Sequence, residues 1–334
     1  MIKKQRSRYY NSIFNTKTGA FARWGRTESE DPILAKSPEL LDIEVSTVCH
    51  GLGAPCRACY KSNTEHGDNM SLETFKLLFS KLPKTVQQIA FGIGDLDGNP
   101  HLWEIFALCR KHGVIPNVTT NGWGLTSSVA ENLARYCGAV AVSRYHPQEV
   151  CYEAVEKLTA QGMTQVNIHQ LVAKETLPQC LTLIDDVSTV PELSKLNAVV
   201  FLTLKPKGDR NNLMPVDDLE YKKIIDKCLE KKIRFGFDSC SANRFLRLVK
   251  GHPQEGWFKT LSEPCEASLF SGFVNVFGKF YPCSFTENVG KWTTGIDVLK
   301  CNDFIEDVWN HPKTLRFRSD LLQQCRDCVL YDLG

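Results

Sequence analysis

Cys49, Cys56 and Cys59 lie in the stretch VSTVCHGLGAPCRACYKSN, three thiols within eleven residues and glycines between the first two. Thiolates are metal ligands and redox groups, and the spacing C-x6-C-x2-C gathers soft donors on one short loop. Two chemistries suit such a trio. An iron–sulfur cluster normally takes four cysteines, so three leave one iron open to an outside ligand. A zinc ion would instead be closed by a fourth donor, such as His50 or His66. A second set follows near the C-terminus as Cys265-x12-Gly278-x4-Cys283 and then Cys325-x2-Cys328. Gly278 permits a tight turn that brings two strand-borne thiols together, and the distant C-x-x-C closes the set. These four thiolates suit either a cluster or a structural zinc ion.

The chain has 334 residues and fourteen cysteines. The N-terminus MIKKQRSRYYNSIF lacks the apolar stretch of a secretory signal, and no run of ~20 apolar residues exists to span a membrane. A cytoplasmic protein is expected, and in that reducing compartment metal or redox chemistry is the better default for cysteines than disulfides. Four of them are expected in the core. Cys109 shares a helical face with Leu102, Ile105 and Phe106, and Cys151 with Ala154, Val155 and Leu158. Cys180 follows Leu177, and Cys228 follows Ile224 and Ile225. A net charge of +2 names no partner, and the 43% apolar content is that of an ordinary globular chain.

The elements that must position these groups alternate. Residues 1–38 form a basic extension, with seven Lys or Arg and no acid before Glu28, and a possible hairpin turning at Thr18-Gly19. From residue 39, strands are expected at LLDIEVST, VQQIAFGIG, IPNVTTNG, GAVAVS, QVNIHQLV, LNAVVFLTL and IRFGFDS. Helices are expected between them at 71–82, 101–113, 126–136, 148–160, 176–187 and 219–232. Serial βα units imply a parallel sheet with helical crossovers, and six or seven fit an α/β partial (β/α)6 TIM-like barrel better than a closed eightfold one. The rhythm stops near residue 238. Residues 239–334 are expected to form a small second unit, a β-hairpin around Phe277-Gly278-Lys279 plus a short helix.

The first cysteine loop follows the first barrel strand, where parallel α/β folds place their chemistry. It resembles the cluster loop of the radical S-adenosylmethionine (SAM) superfamily, whose usual motif is C-x3-C-x2-C. Here the loop is three residues longer, and Ala58 stands where an aromatic is usual. The second strand runs into FGIGDLDGNP, which resembles the superfamily's glycine-glycine-glutamate-proline stretch. By that resemblance Gly92, Gly94 and Asp95 hold SAM's amino group, with Asp95 in place of glutamate and Leu96 in place of proline. A dinucleotide fingerprint is the rival reading, but the third glycine of G-x-G-x-x-G comes one residue late, at Gly98.

The resemblance implies further that Thr119, Asn121, Ser143 and Arg144 contact SAM's ribose and carboxylate, and that His169 and Leu171 pack near adenine. It implies a [4Fe–4S] cluster on Cys49, Cys56 and Cys59, cleavage of SAM to a 5′-deoxyadenosyl radical, and hydrogen abstraction from a substrate. The C-terminal pattern resembles the twitch and SPASM auxiliary modules, which implies a second cluster on Cys265, Cys283, Cys325 and Cys328. Cys240 and Cys301 remain over. Cys240 is a candidate hydrogen-atom donor, and either might replace a ligand in the second set. The implied partners are SAM, a peptide or small-molecule substrate, and a reductase or flavodoxin electron donor. Lys205, Lys207 and Arg210 in LKPKGDR suggest an anionic group in the cavity, which keeps a nucleotide or nucleic-acid substrate open. A non-catalytic zinc-binding protein is the remaining alternative.

Overall fold

Seven strands alternate with six helices between residues 40 and 237, because apolar residues recur first with period two and then near 3.6. The structure, a computed structural model, describes residues 2–8, 10–16, 20–27, 30 and 32–333. A small N-terminal sheet comprises β1 (Ile2–Arg6), β2 (Asn11–Asn15) and β3 (Phe21–Trp24). The barrel strands are β4 (Leu40–Glu44), β5 (Gln88–Gly92), β6 (Ile115–Thr120), β7 (Ala139–Ser143), β8 (Val166–Val172), β9 (Ala198–Thr203) and β10 (Phe235–Phe237). Between them run α1 (Leu72–Lys81), α2 (Leu102–Lys111), α3 (Ser127–Tyr136), α4 (Glu149–Ala160), α5 (Leu177–Thr189) and α6 (Asp218–Lys231). All seven strands are parallel and lie in chain order, β4 to β10. The partial barrel expected from the alternation is therefore the observed fold.

Local signals set the helix ends. The Thr74 amide donates to Ser71 Oγ at 3.0 Å, capping α1. At α6 the Glu220 amide donates to Asp217 Oδ1 at 2.8 Å while the Asp217 amide donates to Glu220 Oε2 at 2.9 Å, a reciprocal capping box. Gly113, at φ +73°, ends the turn after α2. Among the described residues no helix is long and apolar enough to cross a membrane.

The C-terminal part holds α7 (Ala242–Leu248), α8 (Glu255–Leu261), β11 (Ser271–Val274), β12 (Lys279–Tyr281), β13 (Ile296–Asp297) and α9 (Pro312–Gln323). The expected hairpin is β11–β12, with Phe273 opposite Tyr281 and Gly278 at φ +73° in its turn. The hairpin does not form a sheet of its own. β11 pairs parallel with β4, Ser271 opposite Leu40, so the ten-stranded sheet runs β10-β9-β8-β7-β6-β5-β4-β11-β12-β13. One apolar core accordingly joins barrel residues such as Ile43 and Phe75 to Val274, Phe280 and Trp309. The helices α7 and α8 are too short, at seven residues each, for a periodic apolar face to announce them.

The N-terminal extension is an antiparallel three-stranded sheet; the turn expected at Thr18-Gly19 lies outside the described residues. Tyr10 stacks on Phe270, and the Arg23 guanidinium lies 3.7 Å from the Phe270 ring centroid while pairing with Glu39, Glu263 and Glu266. The extension is therefore fastened beside β11.

Cys109, Cys151, Cys180 and Cys228 are buried under the helices, as their periodicity requires. Cys109→Ala should lower unfolding free energy by about 1–2 kcal/mol, as expected for a small core deletion, with bound metal unchanged. Denaturant melts and metal analysis of the purified variant check this.

Candidate functional site

The pleat sorts the barrel residues into two faces. Thr119 pairs with Ala141, Ala141 with Asn167, and Ser143 with His169, so these side chains share one face of the sheet. The alternate residues Val118, Val142 and Ile168 enter the core beneath the helices. Asp42 and Glu44 on β4 keep register with Ala90 and Gly92 on β5, on the same side as Thr119. The non-helical face is thus polar, and it opens toward the loops at the strand ends.

Cys49, Cys56 and Cys59 all lie half-buried on the loop that leaves β4. The loop has little regular structure, so its neighbours hold it. The Cys49 amide donates to Thr64 O at 2.8 Å, and the Asp95 amide donates to Val48 O at 3.1 Å. Gly94 makes that approach possible: a Cβ there would lie 2.2 Å from Val48 O and 2.4 Å from Cys49 Cβ. The Gly51 amide bonds to the Cys49 sulfur and the Ala58 amide to the Cys56 sulfur, each favouring a thiolate. Burial pushes the Cys49 thiol up to about 11, with Asp95 and Cys59 adding to the rise. Cys56 is also raised, by burial first and then by Cys59. Cys59 is thus within electrostatic reach of both other thiols on this loop.

Asp95 is buried and engaged with the cysteine loop. Its Oδ2 accepts from the His50 amide at 2.6 Å and lies 2.7 Å from His50 Nδ1, while its Oδ1 accepts from Asn121 Nδ2 at 2.9 Å. Asn121 also donates to Gly51 O at 3.3 Å. Gly94 and Asp95 thus touch Cys49 itself, Asn121 reaches the loop through Gly51 and Asp95, and Gly92 lies against Glu44 and Val45 instead. Thr119 and Ser143 occupy the shared polar face, with Leu171 two residues along β8 from His169. The Ser143 hydroxyl bonds to that of Tyr145, which in turn donates to Cys56. His169 is desolvated, and burial lowers its pKa to about 4 against a weak opposing pull from Asp238.

Arg144 falls on the other side of the pleat. Its guanidinium is buried and donates to Tyr152 Oη at 3.0 Å, Gln170 Oε1 at 3.2 Å, Gln179 O at 3.3 Å and Gln148 Oε1 at 2.6 Å. It ties β7 and β8 to α4 and α5. Lys205, Lys207 and Arg210 correct the expectation of an anion-binding group, because each is engaged inside the protein. Lys205 pairs with Asp238. Lys207 donates to the carbonyls of Ser284, Phe285 and Glu287. Arg210 donates to the carbonyls of Cys56, Ser62 and Asn63.

The second cysteine set is reached through a buried charge network that sequence reasoning did not find. Lys61 lies 3.1 Å from Glu44 Oε1 and pairs with Glu287, and Asn275 Nδ2 donates to Glu287 Oε1 at 2.6 Å. Tyr60 Oη donates to Ser284 Oγ at 3.1 Å, and its ring packs on Phe285. The available signal was the pair of acids at alternate positions of LLDIEV, an otherwise apolar strand. Burial raises the thiols of both Cys265 and Cys283, with Cys283 and then Cys328 adding to the rise at Cys265, and Cys240 and then Cys328 adding to it at Cys283. Cys325 is exposed, and Cys301 is buried against α1, where its carbonyl accepts from Lys81. Among the described residues no three His, Cys, Asp or Glu side chains close on a single metal ion.

This arrangement, a parallel partial barrel with a cysteine loop after its first strand, has the fold of the radical SAM enzymes. No family model matches the sequence, and no curated protein matches it. Solved structures do. Streptococcus suis SuiB bound to S-adenosylmethionine is 14% identical, with a TM-score of 0.65 over 86% of this chain and 69% of that one. SuiB bound to the precursor peptide SuiA is 12% identical, with a TM-score of 0.70 over 95% and 89%. The enzyme anSMEcpe with AdoMet and the Cp18Cys peptide is 17% identical, with a TM-score of 0.62 over 89% and 88%.

Gly94→Ala should displace the cysteine loop, since backbone rather than a flexible side chain blocks the added methyl. The variant is expected to fold yet bind at least twofold less metal at the first site, measured by metal content after anaerobic loading.

His169 supplies a pH test. Its folded pKa is about 4 against 6.5 unfolded, so only the unfolded chain takes up that proton between these values. Wild type should therefore lose stability relative to His169→Gln as pH falls from 6.5 toward 4, by on the order of 3 kcal/mol in all. Paired denaturant melts across that range measure the gap.

Proposed function

We propose that this chain is a radical SAM enzyme that modifies a peptide. Residues 39–238 are its catalytic barrel, 239–334 its auxiliary iron–sulfur unit, and 1–38 an extension packed beside both. The observation that carries this reading is the convergence of Cys49, Cys56 and Cys59 on one loop after β4, braced by the Gly94–Asp95 turn. The donor set fits a cluster. It offers three thiols on one loop, two of them accepting backbone amides, with the Asp95 carboxylate beside Cys49 and Asn121 bonded to that carboxylate. When bound there, a [4Fe–4S] cluster with one iron free of protein supplies the electron that splits SAM into methionine and a hydrogen-abstracting 5′-deoxyadenosyl radical.

The chain's own residues bind and orient. Cys49, Cys56 and Cys59 would hold the cluster, and deprotonating thiols that burial has raised would couple its loading to proton release. Gly92 and Gly94 let backbone approach the cofactor, while Asp95 fixes the loop and presents its remaining acceptor capacity to the ammonium of SAM. Thr119, Asn121 and Ser143 offer hydroxyl and amide groups to the ribose. His169, uncharged at neutral pH, and Leu171 offer an apolar wall with one ring nitrogen for adenine. Arg144 holds β7 and β8 in place for that wall. A peptide is favoured as substrate because the folds that cover 95% and 89% of this chain were solved with peptides bound. The fourteen free thiols fit a reducing cytoplasm and a flavodoxin or reductase as electron donor.

Anaerobic reconstitution tests the reading. The expected product is a brown protein with about eight irons per chain, the content of two clusters. With dithionite and SAM it should release 5′-deoxyadenosine, and Cys49→Ala/Cys56→Ala/Cys59→Ala should halve the iron and abolish that release. A deuterium-labelled peptide library should pass label into the 5′-deoxyadenosine. A colourless, zinc-loaded protein, or loaded and reduced protein that never cleaves SAM, overturns the assignment.

A further inference from the structure

Five cysteines compete for the second site, and the fold separates them. Cys240 occupies the turn Ser239–Ser241 just after β10, and Asp238, which begins that turn, holds Lys205. Cys240 and Cys328 line the same cavity of about 420 Å³, together with Arg247, Asp327 and Tyr331. Cys265 and Cys283 lie behind that wall. Cys265 precedes β11, Cys283 follows β12, and both contribute to the apolar cluster that also packs Val329. Arg326 fastens the C-terminal segment to this wall by donating to Cys265 O at 3.0 Å and Pro264 O at 2.7 Å.

Mutual influence among these thiols follows the geometry. Cys240 lies within electrostatic reach of Cys265 and Cys328, Cys265 of Cys283 and Cys328, and Cys283 of Cys240 and Cys328. Cys325 stands apart. It is exposed, it is absent from the cavity wall, and its backbone sits at φ +53° with its carbonyl held by Asn243 Nδ2 at 3.2 Å. Within the C-x-x-C spacing Cys325 and Arg326 both adopt left-handed backbone, and only Cys328 lines the cavity.

We infer that Cys240 is the fourth thiolate of the second site, completing a set with Cys265, Cys283 and Cys328, and that Cys325 is not a ligand. The inference rests on reading that site as an iron–sulfur site. A ligated Cys240 has no free S–H, so its role as a hydrogen-atom donor is withdrawn.

The test uses the full-length chain carrying Cys49→Ala, Cys56→Ala and Cys59→Ala, so that only the second site loads. Into this background go Cys240→Ala, Cys240→Ser or Cys325→Ala. Each protein is reconstituted anaerobically with iron and sulfide, then read by iron content and by the electron paramagnetic resonance of the reduced form. Circular dichroism checks folding, and the near-isosteric serine variant serves if alanine perturbs it. The background should hold about four irons, and Cys325→Ala should keep both that content and the background signal. Cys240→Ala and Cys240→Ser should lose at least half the iron or shift the resonance. Unchanged iron and signal in a folded Cys240 variant, or loss in Cys325→Ala, overturns the ligand assignment. A background that takes up no iron, or takes zinc instead, overturns the cluster reading of the second site and the inference with it.

Discussion

A thiol loop without regular secondary structure cannot hold its own shape, because its amides and carbonyls need partners from elsewhere. Here the partners come from two directions. From the turn after β5, Gly94 and Asp95 press against Val48, Cys49 and His50. From the loop after β9, Arg210 caps three carbonyls between Cys56 and Asn63, and Gly208 packs where a Cβ would lie 2.3 Å from Cys59 O. Arginine suits this role because its planar fork satisfies several carbonyls at once without losing its charge. The geometry of the first cysteine site therefore depends on a segment roughly 150 residues later in the chain.

The same segment reaches the second site. Lys207, three residues before Arg210, caps the carbonyls of Ser284, Phe285 and Glu287, just after Cys283, and Lys205 pairs with Asp238, two residues before Cys240. Lys61, two residues after Cys59, closes the circuit from the other side through Glu44 and Glu287. Buried ion pairs contribute little net stability, since desolvation offsets much of their attraction. Removing one partner, however, strands a buried charge, so these pairs fix the relative position of the two loops more firmly than they stabilise the fold.

Much of this order was legible in the sequence. The alternation of period-two and period-3.6 stretches located every barrel strand and helix, and periodicity marked Cys109, Cys151, Cys180 and Cys228 as core residues. What failed to show was anything decided by contacts between distant segments. Arg144 directly follows Ser143, yet the pleat turns the two side chains to opposite faces, and only the register shows which face meets the helices. LKPKGDR looks like an anion receptor because a sequence lists its cations and not the carbonyls they will meet. The β11–β12 hairpin was visible through Gly278, but its docking beside β4 depends on two strands separated by more than 200 residues.

The cysteine-rich tail carries the same lesson at finer scale. Spacing measures distance along the chain, and in C-x-x-C it is a reliable guide only when the intervening residues turn in the ordinary way. At Cys325 and Arg326 the backbone is left-handed, as it often is just past a helix end, and α9 has ended at Gln323. That exit carries Cys328 into the cavity, while Cys325 stays at the surface. Cys240 meets the same cavity from the far edge of the barrel sheet, at the end of β10. The sheet runs from β10 at one edge to β13 at the other, and Cys328 comes from beyond both, past α9. The meeting of Cys240 and Cys328 at one cavity is therefore set by the packing of distant elements, which no local spacing along the chain encodes.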